Sequence, residues 1–263
     1  MINVTLGQYY PGKSVIHRLD PRTKLILTLA YIVLVFLVQS VWGYVAVAAY
    51  VFMGLGLARI SPKYLIRGLK PIIFIVVLTF VLNMFTYGGG FRFTMAGLYA
   101  AIRLSLRLIF LVMGSQVLTL TTAPLDLTDG IEHLLRPLSA IHFPVHEIAM
   151  MMSIALRFIP TLLEEADRIM KAQMSRGADF ESGNIFRRAR NMVPLLVPLF
   201  VSAFRRADDL AVAMEARCYR GGTGRTRMKQ LHYSKLDLYA GLTLVALVAV
   251  VVLDRTLLVR LWP

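Results

Sequence analysis

Two short cationic segments carry the most pointed chemistry of this chain: Ser175-Arg176-Gly177 and Ala216-Arg217-Cys218, each closing a long helical pattern. An arginine among small residues lets backbone and guanidinium approach an acidic partner closely. Its planar fork then makes paired, charge-assisted hydrogen bonds to a carboxylate. One such arginine is explained well enough as a cap that serves the last carbonyls and the dipole of its helix. Two in equivalent places point to docking, and so to mechanical coupling between this chain and a partner.

Other candidate chemistries read less well. Gly7-Gln8-Tyr9-Tyr10-Pro11-Gly12-Lys13-Ser14 matches a phosphate-loop pattern, and Val250-Val251-Val252-Leu253-Asp254 resembles a magnesium-binding strand. A phosphate loop must open directly into a helix, whereas Leu19-Asp20-Pro21 stops any helix within two turns of Ser14. Asp254 falls at the far end of an apolar span. His142 and His146 have an i,i+4 spacing with Glu147 adjacent, but Pro144 interrupts the helix that would align the two imidazoles on zinc. Arg103 and Arg107 stand in the outer half of a span and are expected to snorkel to the interface rather than line a substrate path. Met150, Met151 and Met152, with Met170, Met174, Met192, Met214 and Met228, read equally as core filling or as an adaptable surface for several partners. No cofactor and no metal is expected on this chain.

The elements that must position the arginines are mostly membrane. The 263 residues are 57% hydrophobic with a mean hydropathy of +0.64, and several uncharged runs have spanning length. Residues 1–20 lack the apolar stretch and cleavage site of a signal peptide, so the first span serves as the insertion signal. The only cysteine, Cys218, excludes an internal disulfide. A net charge of +14 in such a chain marks the cytoplasmic face and anionic lipid, not nucleic acid. Residues 25–58 carry no charge and would be about 51 Å long as one helix, so they form two, turned at Gln39-Ser40. Residues 71–91 supply a third span ending at Gly88-Gly89-Gly90, 94–122 a fourth, and 238–253 a fifth. Lys13, Arg18, Arg22, Lys24 and then Arg59, Lys63, Arg67, Lys70 face the cytoplasm, because the intervening loops offer only Arg92.

Residues 123–235 then fall inside the cell and hold 12 of the 15 acidic residues and 16 of the 29 Lys and Arg. The expected organisation is 1–122 with four spans, 123–235 as a coupling-helix module, and 236–263 as a last span. Pro124-Leu125-Asp126 opens the first module helix, and Arg136-Pro137 and Phe143-Pro144 end it. From Val145, the residues Ile148, Met152, Ala155, Ile159, Leu162, Ala166 and Ile169 recur in steps of four and three, the stripe of an amphipathic helix. Gly183-Asn184 turns the chain into a third helix from about Ile185, with Met192, Leu196, Leu199, Ala203, Leu210 and Met214 on one face. Pro160, Pro194 and Pro198 should bend these two helices. Both are too charged to span. The fold class is an all-α integral membrane protein with about five transmembrane helices and a cytoplasmic module of long amphipathic helices.

Several segments together resemble one family across essentially the whole chain. They are Tyr10-Pro11-Gly12, the run from His17-Arg18-Leu19-Asp20-Pro21 to Leu25, Thr121-Thr122 with Pro124-Leu125, Ala155-Leu156-Arg157-Phe158-Ile159-Pro160, Ala172 to Phe180, and Ala213 to Gly221. The chain is similar to the transmembrane T component (EcfT) of energy-coupling factor transporters, ATP-driven importers of vitamins and some metal ions. The resemblance implies a non-catalytic subunit in the cell membrane, with its N-terminus and module cytoplasmic. Two ABC-type ATPase subunits, which bind the ATP and Mg, would each take one motif arginine, Arg176 or Arg217. A membrane-embedded S component, which captures the substrate, would sit on residues 148–170, Met151 included. The second motif usually ends in glycine, so Cys218 is a departure. A left-handed backbone there costs about 1 kcal/mol or more. The alternatives are a non-catalytic membrane scaffold, a stand-alone permease, which should show repeated halves around a midplane site, and an intramembrane enzyme, which should show a buried nucleophile or metal cluster. Neither the permease pattern nor the enzyme pattern is present in the sequence.

Overall fold

The computed structural model describes residues 9–86, 93–180, 184–221 and 230–258. Gly7, Gln8, the 88–90 glycines, Arg92, Gly183 and Met228 lie outside them. The described residues form eight α-helices: α1 Pro21–Leu37, α2 Val41–Ala58, α3 Pro62–Thr86, α4 Met95–Thr121, α5 Pro124–Leu135, α6 Val145–Ser175, α7 Ile185–Ala216 and α8 Lys235–Leu253. Among the described residues there is no strand. They divide into two compact units, one of residues 135–180 and 184–221, the other of the remainder.

Helix boundaries in the larger unit follow local chemistry. Asp20 caps α1 by accepting from the Arg22 amide, with Pro21 at the first helical position. Ser40 accepts from the Gly43 amide to start α2, and Thr94 from the Gly97 amide to start α4. The third span begins nine residues earlier than its uncharged run, at Pro62, because Pro71 is accommodated inside the helix. By length and composition α3 (Pro62–Phe85), α4, α6 and α8 with its extension (Lys235–Thr256) are long and apolar enough to cross a membrane. α6 meets that measure through its first half, against the expectation that it is too charged. Glu164, Glu165, Asp167, Arg168 and Lys171 crowd its second half.

The core is built on α1, α2, α4 and α8, with Tyr31, Val35, Val47, Phe110, Met113 and Leu247 among its buried residues. Tyr31 lies flat on α4 at Gly114, where a Cβ would stand 2.1 Å from the ring, and its hydroxyl donates to the Phe110 carbonyl at 2.7 Å. Only glycine admits that approach. α3 packs on α4 and leaves the rest of its apolar surface exposed, as lipid-facing helices do.

Arg103 and Arg107 both reach the end of α1 and the turn before α2. Arg107 donates from Nε to the Tyr44 hydroxyl at 3.2 Å and from its terminal nitrogen to the Val38 and Phe36 carbonyls at 3.1 and 3.4 Å, with Phe36 beneath the guanidinium. Arg103 donates to the Gln39 carbonyl at 3.3 Å. The carbonyls at the end of α1 and in the turn that follows have no intrahelical partner, so two α4 arginines that reach them satisfy orphan acceptors and the negative end of the α1 dipole together.

Candidate functional site

Both arginine segments adopt one backbone motif. At the end of α6 the Gly177 amide donates to the Met174 carbonyl at 2.9 Å and Ala178 to Gln173 at 3.0 Å, with Gly177 at φ +87°. At the end of α7 Cys218 donates to Glu215 at 2.8 Å and Tyr219 to Met214 at 3.0 Å, with Cys218 at φ +58°. Each is a Schellman closure, in which the residue after the cap turns left-handed. Arg176 and Arg217 therefore occupy the same cap position, and both side chains are exposed. The cysteine does not change the geometry; it takes up the left-handed conformation that glycine holds more cheaply.

That equivalence has a measurable consequence. Replacing Cys218 with glycine should raise stability by about 1 kcal/mol, because the Cβ clash of a left-handed L-residue disappears. Gly177→Ala should lower it by a similar amount, since no atom lies within 4 Å to oppose the methyl and only backbone strain acts. Thermal unfolding of the two variants should shift in opposite directions; equal or same-sign shifts would remove the equivalence of the two caps.

α6 and α7 run antiparallel over part of their length. Glu165 pairs with Arg206, Gln173 donates to the Pro194 carbonyl at 3.4 Å, and Asn191 donates to the Asp179 carbonyl at 2.6 Å. The Pro194 carbonyl is free to accept because Pro198, four residues on, has no N–H to offer it. Arg176 thus lies near the start of α7, whereas Arg217 closes its end. From Pro194 to Arg217 is roughly 35 Å of helix at 1.5 Å per residue.

The expected stripe on α6 is not uniform. Met151, Met152 and Ala155 are exposed, Met151 by 58%, while Ile148, Ile159, Leu162, Ala166 and Ile169 are half-buried. Leu162, Ala166 and Ile169 share a helix face with Gln173, which reaches α7, so the second half of the stripe is turned toward α7. On α7 the half-buried line runs through Leu199, Ala203, Leu210 and Met214 as expected, but the buried residue near its start is Leu195, not Leu196. Pro194 and Pro198 flank that change of phase and break the ladder there. Sequence reasoning also missed a second apolar face of α7, with Val193, Val197, Phe200 and Phe204 exposed, the last by 68%. The signal was a run from Met192 to Phe204 with almost no polar side chain to mark an outside.

In the other unit the family-like segments form one polar cluster at the start of α1. His17 Nε2 faces the Tyr10 carbonyl at 2.9 Å, which can only accept, so that nitrogen carries the proton and Nδ1 accepts from the Ser14 hydroxyl at 2.6 Å. Gly12 packs against the imidazole, leaving no space for a Cβ. Ser14 thus serves His17 and leads into a three-residue 3-10 turn, Ile16–Arg18, not into a phosphate-binding helix. Buried Lys24 donates to the last carbonyl of α4, Thr121, at 2.9 Å. The Asp20 amide donates to Asp237 Oδ1 at 2.9 Å, and Asp237 Oδ2 accepts from the amide and hydroxyl of Ser234. Arg22 pairs with Asp20, donates to the Leu231 carbonyl and covers the Tyr233 ring. The cluster ties together the start of α1, the end of α4 and the start of α8.

His142 stands in a left-handed turn before Pro144 and His146 in the first turn of α6, so the pair does not share a helix. Asp254 accepts from the Ser40 hydroxyl at the start of α2. Among the described residues no group of three His, Cys, Asp or Glu side chains is placed to hold a metal ion.

Residues 12–229 match a family model described as cobalt transport protein, CbiQ. The chain is similar to proteins named energy-coupling factor transporter transmembrane protein EcfT. That of Thermosediminibacter oceani is 58% identical over 247 residues, 91% of this chain and 93% of its own. That of Clostridium kluyveri is 52% identical over 262 residues, with 96% and 97% covered. The Bacillus subtilis protein is 48% identical over 257 residues, with 95% and 97% covered.

Proposed function

The chain belongs to the CbiQ/EcfT family of energy-coupling factor transporter transmembrane components, and we propose that it transmits ATP-driven motion from two cytoplasmic ATPase subunits to a substrate-binding S component. The observation that carries this reading is the duplication of one exposed arginine cap at the ends of α6 and α7, roughly 35 Å of helix apart. Each guanidinium enters an acidic groove on one ATPase, so movement of the ATPases is applied to both helices. The exposed first half of the α6 stripe, at Met151, Met152 and Ala155, carries the S component, and Ile148 flanks it. Ile159, Leu162, Ala166 and Ile169 hold α6 on α7, so that motion at the caps reaches that surface. ATP and magnesium are bound by the ATPases. The α6–α7 module faces the cytoplasm together with the N-terminus, and the substrate is a vitamin or another micronutrient chosen by the S component.

The test is purification of the full chain from its native membrane in mild detergent, with its partners identified and counted by mass. Two ABC-type ATPase subunits and one small membrane protein per chain are expected. A chain that purifies alone and still imports solute in proteoliposomes would replace this reading with that of a stand-alone permease.

A further inference from the structure

The membrane unit holds an apolar cavity of about 220 Å³ between α1, α2, α4 and α8. It reaches from Ile16, Leu19 and Lys24 at its basic end to Tyr31, Tyr50 and Gly114 deeper in the bundle. Met53, Leu57 and Tyr239 of its lining are 46%, 48% and 63% exposed, on the apolar helices α2 and α8. Exposed apolar and aromatic side chains of this kind suit contact with lipid chains better than with water.

Four polar groups of the lining are already engaged. Tyr31 donates to the Phe110 carbonyl, Thr121 to Val117, Thr243 to Ala240 and Lys24 to Thr121. Water placed there would find few partners, and an empty apolar space of this size forfeits dispersion contacts along its whole wall. The basic end differs. Exposed Lys13 and Arg18 flank the lining residues Val15, Ile16 and Leu19, and exposed Arg59 ends α2 two residues beyond Leu57.

We propose that this cavity is a binding site for one acyl chain of an anionic membrane phospholipid, with the headgroup held at the interface by Arg18 and its basic neighbours. Lipid is the apolar chain supplied at that surface, and the basic end selects a negative headgroup. The bound chain completes the packing between α2 and α8 and cushions the bundle during transport. The site does not depend on the partners proposed above and would exist in the isolated chain.

Gly54 and Gly56 make the test. Both lie on α2, and at either one a Cβ would have nothing within 4 Å, but only Gly54 lines the cavity. Leucine at either site favours the helix, so folding is preserved in both. Native mass spectrometry of the full chain, titrated with phosphatidylglycerol, should show one tightly held lipid in the wild type and in Gly56→Leu. Gly54→Leu should bind at least tenfold more weakly. Arg18→Gln should weaken phosphatidylglycerol without changing the weaker binding of phosphatidylcholine. No retained lipid in the wild type, equal behaviour of the two glycine variants, or saturable binding of free fatty acid but not of phospholipid would each overturn the proposal.

Discussion

Replacing Arg176 and Arg217 together with alanine is expected to strip both ATPases from the membrane complex and abolish uptake. Each guanidinium leaves an exposed cap to enter a partly desolvated acidic groove. Truncation therefore removes charge-assisted bonds and also strands the partner's carboxylate, roughly 2–5 kcal/mol per site. Arg→Lys at either position should rescue poorly, since an ammonium retains the charge without the planar fork. The caps themselves should survive, because their closing bonds are made by backbone atoms and not by the arginine side chains. Pull-down of the ATPases together with substrate uptake reads the result. Wild-type assembly in the double variant would reduce both arginines to ordinary helix ends and remove the support for coupling.

Ala155→Asp should release the S component while the ATPases stay attached. Ala155 is exposed in the free chain, so a carboxylate there is solvated and folding is little affected. Once the S component covers the surface, that charge becomes buried and unpaired, which costs several kcal/mol. Ile159→Asp should behave differently. Ile159 is already half-buried within its own unit, so the charge should lower the thermal stability of the isolated chain as well. The decisive comparison is partner retention and unfolding midpoint for both variants. An S component that remains bound to Ala155→Asp, or ATPases lost along with it, would move the platform elsewhere.

The elements were legible in the sequence wherever their signals were local. Pro124, Pro144 and Asn184 mark the starts of α5, α6 and α7, and Arg176-Gly177 and Arg217-Cys218 the closures of α6 and α7, because caps, prolines and left-handed turns act within one helical turn. The break at Gln39-Ser40 follows for the same reason, since a serine hydroxyl placed three residues before the Gly43 amide starts a helix. The resemblance to the family was also carried by short contiguous segments.

Partners distant in the chain were not legible. Asp20 and Asp237 meet across 217 residues, and nothing in either segment names the other. The position of Arg107 in the outer half of its span names no acceptor; only the packing of α1 on α4 brings the Val38 and Phe36 carbonyls within reach. The split of the α6 stripe into an exposed first half and a half-buried second half depends on where α7 lies, and so does the second apolar face of α7. Periodicity assigns an apolar residue to a face of its helix. Whether that face meets another helix, lipid or a partner is decided by tertiary packing, which brings together residues that no local rule connects.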